Sequence, residues 1–179
     1  MFFCLILFRY NARRNLTGRN DAFPGLESRK VDMTPINTSL SPFDRRQLFF
    51  YRAIGDLPLD PNIHACAHLY ASDRNSLFIV ANHFGVSDRF THMASLSHTV
   101  VFHSSALNIL LQDQSSKEKH WFCQEVWTTR AGGGRATHHS RIIGPGGVHV
   151  ATTFQEGMIR VGLGENQYEK AYKKSLERL

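Results

Sequence analysis

A chain of 179 residues, 42% hydrophobic and 20% charged, has enough apolar material for one domain with a sizeable core, which excludes a wholly disordered protein. Its formal charge of +6 is uneven, with 8 Lys and Arg against 4 Asp and Glu in residues 1–50 and 13 against 11 in the remainder. The basic excess lies mainly in the N-terminal stretch, and the rest shows no long basic face or basic-aromatic interleaving, which argues against nucleic-acid binding.

Residues 1–45 read as an irregular or disordered tail. Met1–Phe8 is apolar but too short to span a bilayer, and its basic residues follow the apolar run, the reverse of a secretory signal. Residues 9–45 keep no sustained period, and 46–61, with Asp56-Leu57-Pro58-Leu59, reads as a linker. Cys4, Cys66 and Cys123 lack CxxC spacing, and Cys66 falls in an apolar helical run. Buried thiols in a reducing, intracellular compartment are expected.

The folded domain is expected over 62–162. Asp60-Pro61-Asn62 is a helix start, a capping carboxylate followed by proline at the first helical position. The helix is predicted from Ile63 to about Ala81, with a break available near Ser72. Cys66, Leu69, Tyr70, Leu77 and Val80 form an apolar stripe at helical spacing. Asp73 falls within that stripe, where a carboxylate needs a partner or a proton. Alternatively, Ser72 and Asp73 cap a second short helix.

Asn82–Arg89 is a turn, and Met93–His103 reads as a strand with the other informative segments as its neighbours. Ala94, Leu96, His98, Val100 and Phe102 alternate with Met93, Ser95, Ser97, Thr99 and Val101, so the first set is expected to face a core. After the connection Ser104–His120, three strands follow: Trp121–Arg130, Arg135–Ile143 and Val148–Arg160. Glycine-rich turns at Ala131–Gly134 and Gly144–Gly147 join them into an antiparallel meander. Residues 163–179 form a charged tail or helix, with Tyr168, Tyr172 and Leu176 on one side. This order predicts an α+β fold in which an antiparallel sheet wraps one long helix.

If the sheet wraps the helix, three polar residues matter most: Asp73, Ser95 and Gln155. A carboxylate can polarise a water that a hydroxyl and an amide hold in place, which suits hydrolysis without an enzyme nucleophile. No GxSxG elbow is present, and no cysteine has a histidine at readable spacing. Strict alternation puts Ser95 on the face opposite Leu96 and Phe102, so either that face lines an interface or a bulge re-aims it. His64 and His68 have metal-ligand spacing, but Ala65 stands where a metalloprotease motif needs Glu, and the adjacent His138 and His139 point to opposite faces of a strand. No metal and no cofactor is expected. Arg130, Arg135 and Arg141 flank the glycine turn and could meet the phosphates of a polyanionic ligand, or form exposed salt bridges.

Tyr70-Ala71-Ser72-Asp73, Met93-Ala94-Ser95-Leu96-Ser97-His98, Phe102-His103 and Ala151–Arg160 resemble, in this order, motifs of the acyl-CoA thioesterase II family. The resemblance runs over about Ala65–Arg160 and implies a hotdog fold. It also implies hydrolysis of fatty acyl-CoA by an activated water, hence a place in fatty acid and lipid metabolism. Matched by motif, Asp73, Ser95 and Gln155 are the residues that hold the water, and Ser97 stands where bacterial members often carry Asp. The family carries two hotdog domains in tandem, and this chain has room for the second alone. Either a homodimer or a second hotdog domain is therefore the expected partner, the alternative being a half-protein without turnover. A hydratase on the same fold lacks its Asp/His motif here. Glu177-Arg178-Leu179 has the basic middle and final Leu of a peroxisomal signal with Glu in place of the small first residue, so the expected compartment is peroxisomal or cytosolic.

Overall fold

A computed structural model describes residues 25–74, 76–86 and 89–161. In chain order these form β1 (Leu26–Lys30), α1 (Thr34–Asn37), β2 (Gln47–Ala53), α2 (Pro61–Asp73), α3 (Ser76–His83) and β3 (Phe90–Phe102). Then come β4 (Phe122–Trp127), β5 (Ala131–Gly132), β6 (Arg135–Ile143) and β7 (His149–Val161). All pairings are antiparallel, and the sheet runs β1-β2-β4-β6-β7-β3, with β5 paired to β6. The helical candidate Glu165–Leu179 and the first 24 residues lie outside the described residues.

The meander forms as its sequence dictates, with β4, β6 and β7 side by side. Positive φ at Gly133 and Gly134 turns the chain from β5 into β6. The expected tail and linker, however, contain β1 and β2. Leu48, Tyr51 and Ala53 are buried on β2, and β2 lies against β4 with Phe50 opposite Cys123. β1 buries Leu26 alone, and its strand conformation comes from pairing with β2. A five-residue polar segment shows no strand period, so only the tertiary partner reveals it. The folded domain therefore begins well before residue 62.

Asp60 caps α2 as expected, its carboxylate accepting from the Asn62 N–H at 2.9 Å with Pro61 in the first turn. The single long helix is two: α2 ends at Asp73 and α3 begins at Ser76. Their buried faces also differ from the predicted stripe. Leu77 and Val80 of α3 are buried, but Cys66, Leu69 and Tyr70 of α2 face outward. His64, His68, Ala71 and Ser72 take the inner face instead. Burial of two histidines is tolerable because their polar atoms are matched. His64 Nε2 donates to Pro58 O at 3.1 Å, and its Nδ1 accepts from the Leu111 N–H at 3.1 Å. His68 Nε2 donates to Ile109 O at 2.8 Å, so its Nδ1 accepts from the Tyr51 hydroxyl at 2.6 Å. The expectation of buried thiols fails with the stripe, since Cys66 is exposed and Cys123 is half-buried.

Tyr51, Phe122, Ile142 and Val150 pack with Leu111 under α2, and Leu77, Val80, Phe84 and Ile159 form a second cluster under α3. Among the described residues β3 is an edge strand, paired to β7 alone. Among the described residues no helix is long and apolar enough to cross a membrane.

Candidate active site

Two register shifts in β3 decide which of its side chains face inward. Ser95 pairs with Gly157 and Ser97 with Glu156, so Leu96 is an extra residue, and a similar shift falls between Phe90 and His92. Before the bulge, Met93 and Ser95 share the inner face. After it, His98, Val100 and Phe102 do, opposite Gln155, Thr153 and Ala151. Of the two alternatives for Ser95, the structure has the bulge. Ala94 and Leu96, expected to face the core, are exposed.

The bulge brings Ser95 to Gln155, and the end of α2 brings Asp73 to the same amide. Gln155 Nε2 donates to Asp73 Oδ1 at 2.5 Å and to Ser95 Oγ at 2.8 Å. Gln155 is completely buried, whereas Asp73 and Ser95 are exposed. The expected placement of Asp73 on a core-facing stripe is thus wrong in its detail, because the carboxylate stands where α2 stops, at the surface. Gly157 lets the two layers approach here. A Cβ on Gly157 would lie 2.4 Å from Leu77 Cδ1, so its absence lets α3 sit directly on β7 beside Ser95.

Both donor hydrogens of the amide are committed to its two partners. Ser95 Oγ accepts one of them and keeps its own O–H to donate, and Asp73 keeps Oδ2 as an acceptor. One donor and one strong acceptor therefore converge at the surface of the chain. A water molecule placed between them can lose a proton to the carboxylate while the hydroxyl fixes its oxygen.

Behind this cluster runs a polar network absent from the sequence reading. Ser72 Oγ donates to Leu69 O at 2.9 Å and accepts from His98 Nε2 at 3.2 Å. Gln124 Nε2 donates to Ser140 Oγ at 3.0 Å, and Ser140 and Thr153 share a 2.6 Å hydroxyl contact. His98, Gln155 and His138 form one row across β3, β7 and β6. Period-two counting from Gln155 would have found Thr153, and the alternation along β3 already places His98 on the inner face, where it pairs with Gln155.

The three arginines do not join the cluster. Arg135 pairs with Glu156 at 3.0 Å and Arg141 with Glu125 at 2.5 Å, both on the face opposite Gln155. Arg130 is exposed, and its backbone N–H donates to Thr137 Oγ1. A separate pocket of about 540 Å³, bounded in part by Lys30, Arg45 and His83, includes none of Asp73, Ser95 or Gln155.

A seven-stranded antiparallel sheet curled over a helical layer defines a hotdog domain, present here as a single copy. The chain belongs to the acyl-CoA thioesterase family, as its C-terminal domain, which is the family description matched by residues 17–159. The mouse acyl-coenzyme A thioesterase 8 is 31% identical over 133 residues, which is 74% of this chain and 38% of that protein. Acyl-CoA thioesterase 2 of Haemophilus influenzae is 27% identical over 128 residues, 70% of this chain and 41% of that one. The crystal structure of acyl-CoA thioesterase II TesB2 from Mycobacterium marinum superposes with a TM-score of 0.62 at 28% identity, covering 81% of this chain and 54% of the other. This chain spans about two fifths of the length of these curated relatives.

Proposed function

We propose that this chain supplies the water-activating site of an acyl-CoA thioesterase, built from Asp73, Ser95 and Gln155. The observation that carries the reading is the shared Gln155 amide, which leaves one carboxylate oxygen and one hydroxyl proton free beside each other. Asp73 takes a proton from the water as its oxygen forms a bond to the thioester carbonyl carbon. The tetrahedral species collapses with cleavage of the C–S bond, and the proton held on Asp73 passes to the departing thiolate. Fatty acid and free coenzyme A are the products. Ser95 orients the water, and Gln155 holds Asp73 and Ser95 in place, which restricts the rotation that would misplace it.

Release of thiol from medium- and long-chain acyl-CoA tests this directly, wild type beside Asp73→Ala. Turnover lost in the variant supports the site, and an unchanged rate removes the mechanism.

A second hotdog unit, either another copy of this chain or a tandem domain, completes the substrate groove in this reading. Asp73 and Ser95 are open to solvent in a single copy, and Ile63, Leu69 and Tyr70 leave apolar surface on the outer side of α2. Among the described residues β3 offers an unpaired edge, with Leu96 and Val101 half exposed. The rival reading is a half-protein that binds such a partner without turnover. Sedimentation of the purified chain separates them, since a soluble homodimer with activity excludes the half-protein. An inactive monomer that gains activity on adding a partner domain favours it. In either case Arg130, Arg135 and Arg141 stand apart from the cluster and are candidates for coenzyme phosphates only where the ligand extends away from it to reach them.

A further inference from the structure

Gln155 holds the cluster together, yet only half of its amide is satisfied. A carboxylate can only accept hydrogen bonds, so Nε2 must be the atom that faces Asp73. The carbonyl Oε1 is then turned away, buried and without a partner. On β6 the residue paired with Gln155 is His138, 1% exposed, and its Nδ1 is also buried without a partner. Thr128, which directly follows the last paired residue of β4, is 1% exposed, and its Oγ1 is a third such atom. Paired side chains on one face of adjacent strands have Cβ atoms about 4.5–5.5 Å apart, a spacing that a single ordered water bridges when the groups do not touch. Adjacent buried polar atoms without partners are the usual signature of such a water.

We propose that His138 is a positioning residue for the hydrolytic cluster, holding the Gln155 amide oxygen through one buried water shared with Thr128. Among the described residues the amide alone joins Asp73 to Ser95. Turned over, it would set Oε1 against the carboxylate and remove the donor that Ser95 accepts. A hydrogen bond to Oε1 from the opposite side blocks that rotation. Burial, reinforced by the neighbouring His98, His139 and His83, pushes His138 down to about 3 and keeps its ring neutral. A neutral imidazole carries one N–H and one lone pair, so it can either donate to the water or accept from it without placing a charge in the core. The kinetic part of this inference rests on the hydrolysis reading above, whereas the amide geometry does not.

The test uses the full chain labelled with nitrogen-15 and follows the side-chain NH2 pair of Gln155, assigned by its loss in Gln155→Glu. In the wild type this pair is expected to exchange slowly with solvent, since Gln155 is fully buried. His138→Leu removes the polar partner and is expected to speed that exchange and lower kcat about 10–100-fold, with KM within about 2-fold. His138→Asn keeps a polar atom near the Nδ1 position and is expected to restore both readouts to within about 3-fold of wild type. A folded His138→Leu with an unchanged amide pair overturns the proposal, and so does a His138→Asn as impaired as the leucine variant. Should His138→Leu fail to fold, Thr128→Val removes the third partner of the water. Faster exchange of the amide pair then supports the bridge, and unaltered exchange overturns it. A wild type without turnover would defeat the hydrolysis reading and leave the amide measurement to decide this one.

Discussion

Gln155 Nε2 lies 2.5 Å from Asp73 Oδ1, although 82 residues separate the two in the chain. One side chain ends a helix at the surface, and the other is buried in the middle of the longest hairpin partner, β7. Because they act through one hydrogen bond, their losses should not add. Asp73→Ala is expected to lower kcat about 10²–10⁴-fold, and Gln155→Ala placed on top of it to lower the rate little further. Thiol release from the two single variants and the double variant gives the answer, and additive losses would show that the residues act separately.

Gly157 sets how closely α3 approaches β7. Gly157→Val puts its Cβ into the space of Leu77, whose side chain is buried in the cluster under α3. The expected loss is about 1–3 kcal/mol of stability, read from the urea midpoint. Ser95 pairs with Gly157, so activity should fall along with stability. A variant as stable as wild type would show that the two layers are not in close contact.

Tyr51 and His68 form a pair remote from the cluster. Tyr51→Phe keeps the ring that stacks on Phe122 but leaves His68 Nδ1 without its donor. A loss of about 1–3 kcal/mol is expected, with kcat of the folded variant unchanged. Thermal melts and thiol release on one preparation distinguish a structural pair from a catalytic one.

Acid should unfold this protein early, because three histidines are buried as neutral rings. Desolvation pushes His68 down to about 4, His83 to about 4 and His138 to about 3, and for His83 the nearby Arg45, Arg46 and Lys30 add to the effect. In the unfolded chain each returns to the ordinary value of 6.5. Above that value neither state binds the protons and these groups contribute no pH dependence. As pH falls below it, the unfolded state takes up protons that the folded state does not, so stability is lost progressively down to the folded values. With all three unprotonated in the fold, the slope reaches about 4 kcal/mol per pH unit at its steepest. Melting temperatures measured between pH 7.5 and 5 should fall steadily, and His68→Asn should flatten the fall. A melting temperature constant over that range would show that the rings are accessible or already paired with acids.

Local sequence determined the pieces whose signals are local. The Asp60-Pro61 cap and the three strands of the meander each follow from a few adjacent residues and form where they are expected, with β5 taking Ala131 and Gly132 from the predicted glycine turn. The motif order also points to Asp73, Ser95 and Gln155, which the fold brings into one hydrogen-bonded cluster. Tertiary structure decided the rest, because each remaining feature depends on a partner far along the chain. β1 is a strand because β2 lies beside it, and the inner face of α2 carries histidines because Tyr51, Pro58, Ile109 and Leu111 satisfy their nitrogens. Without those partners the more apolar face of that helix is the natural choice, and composition alone points to it. The bulge at Leu96 is the clearest case. One extra residue on β3 reverses the facing of every side chain beyond it, and only the pairing with β7 reveals where that residue falls.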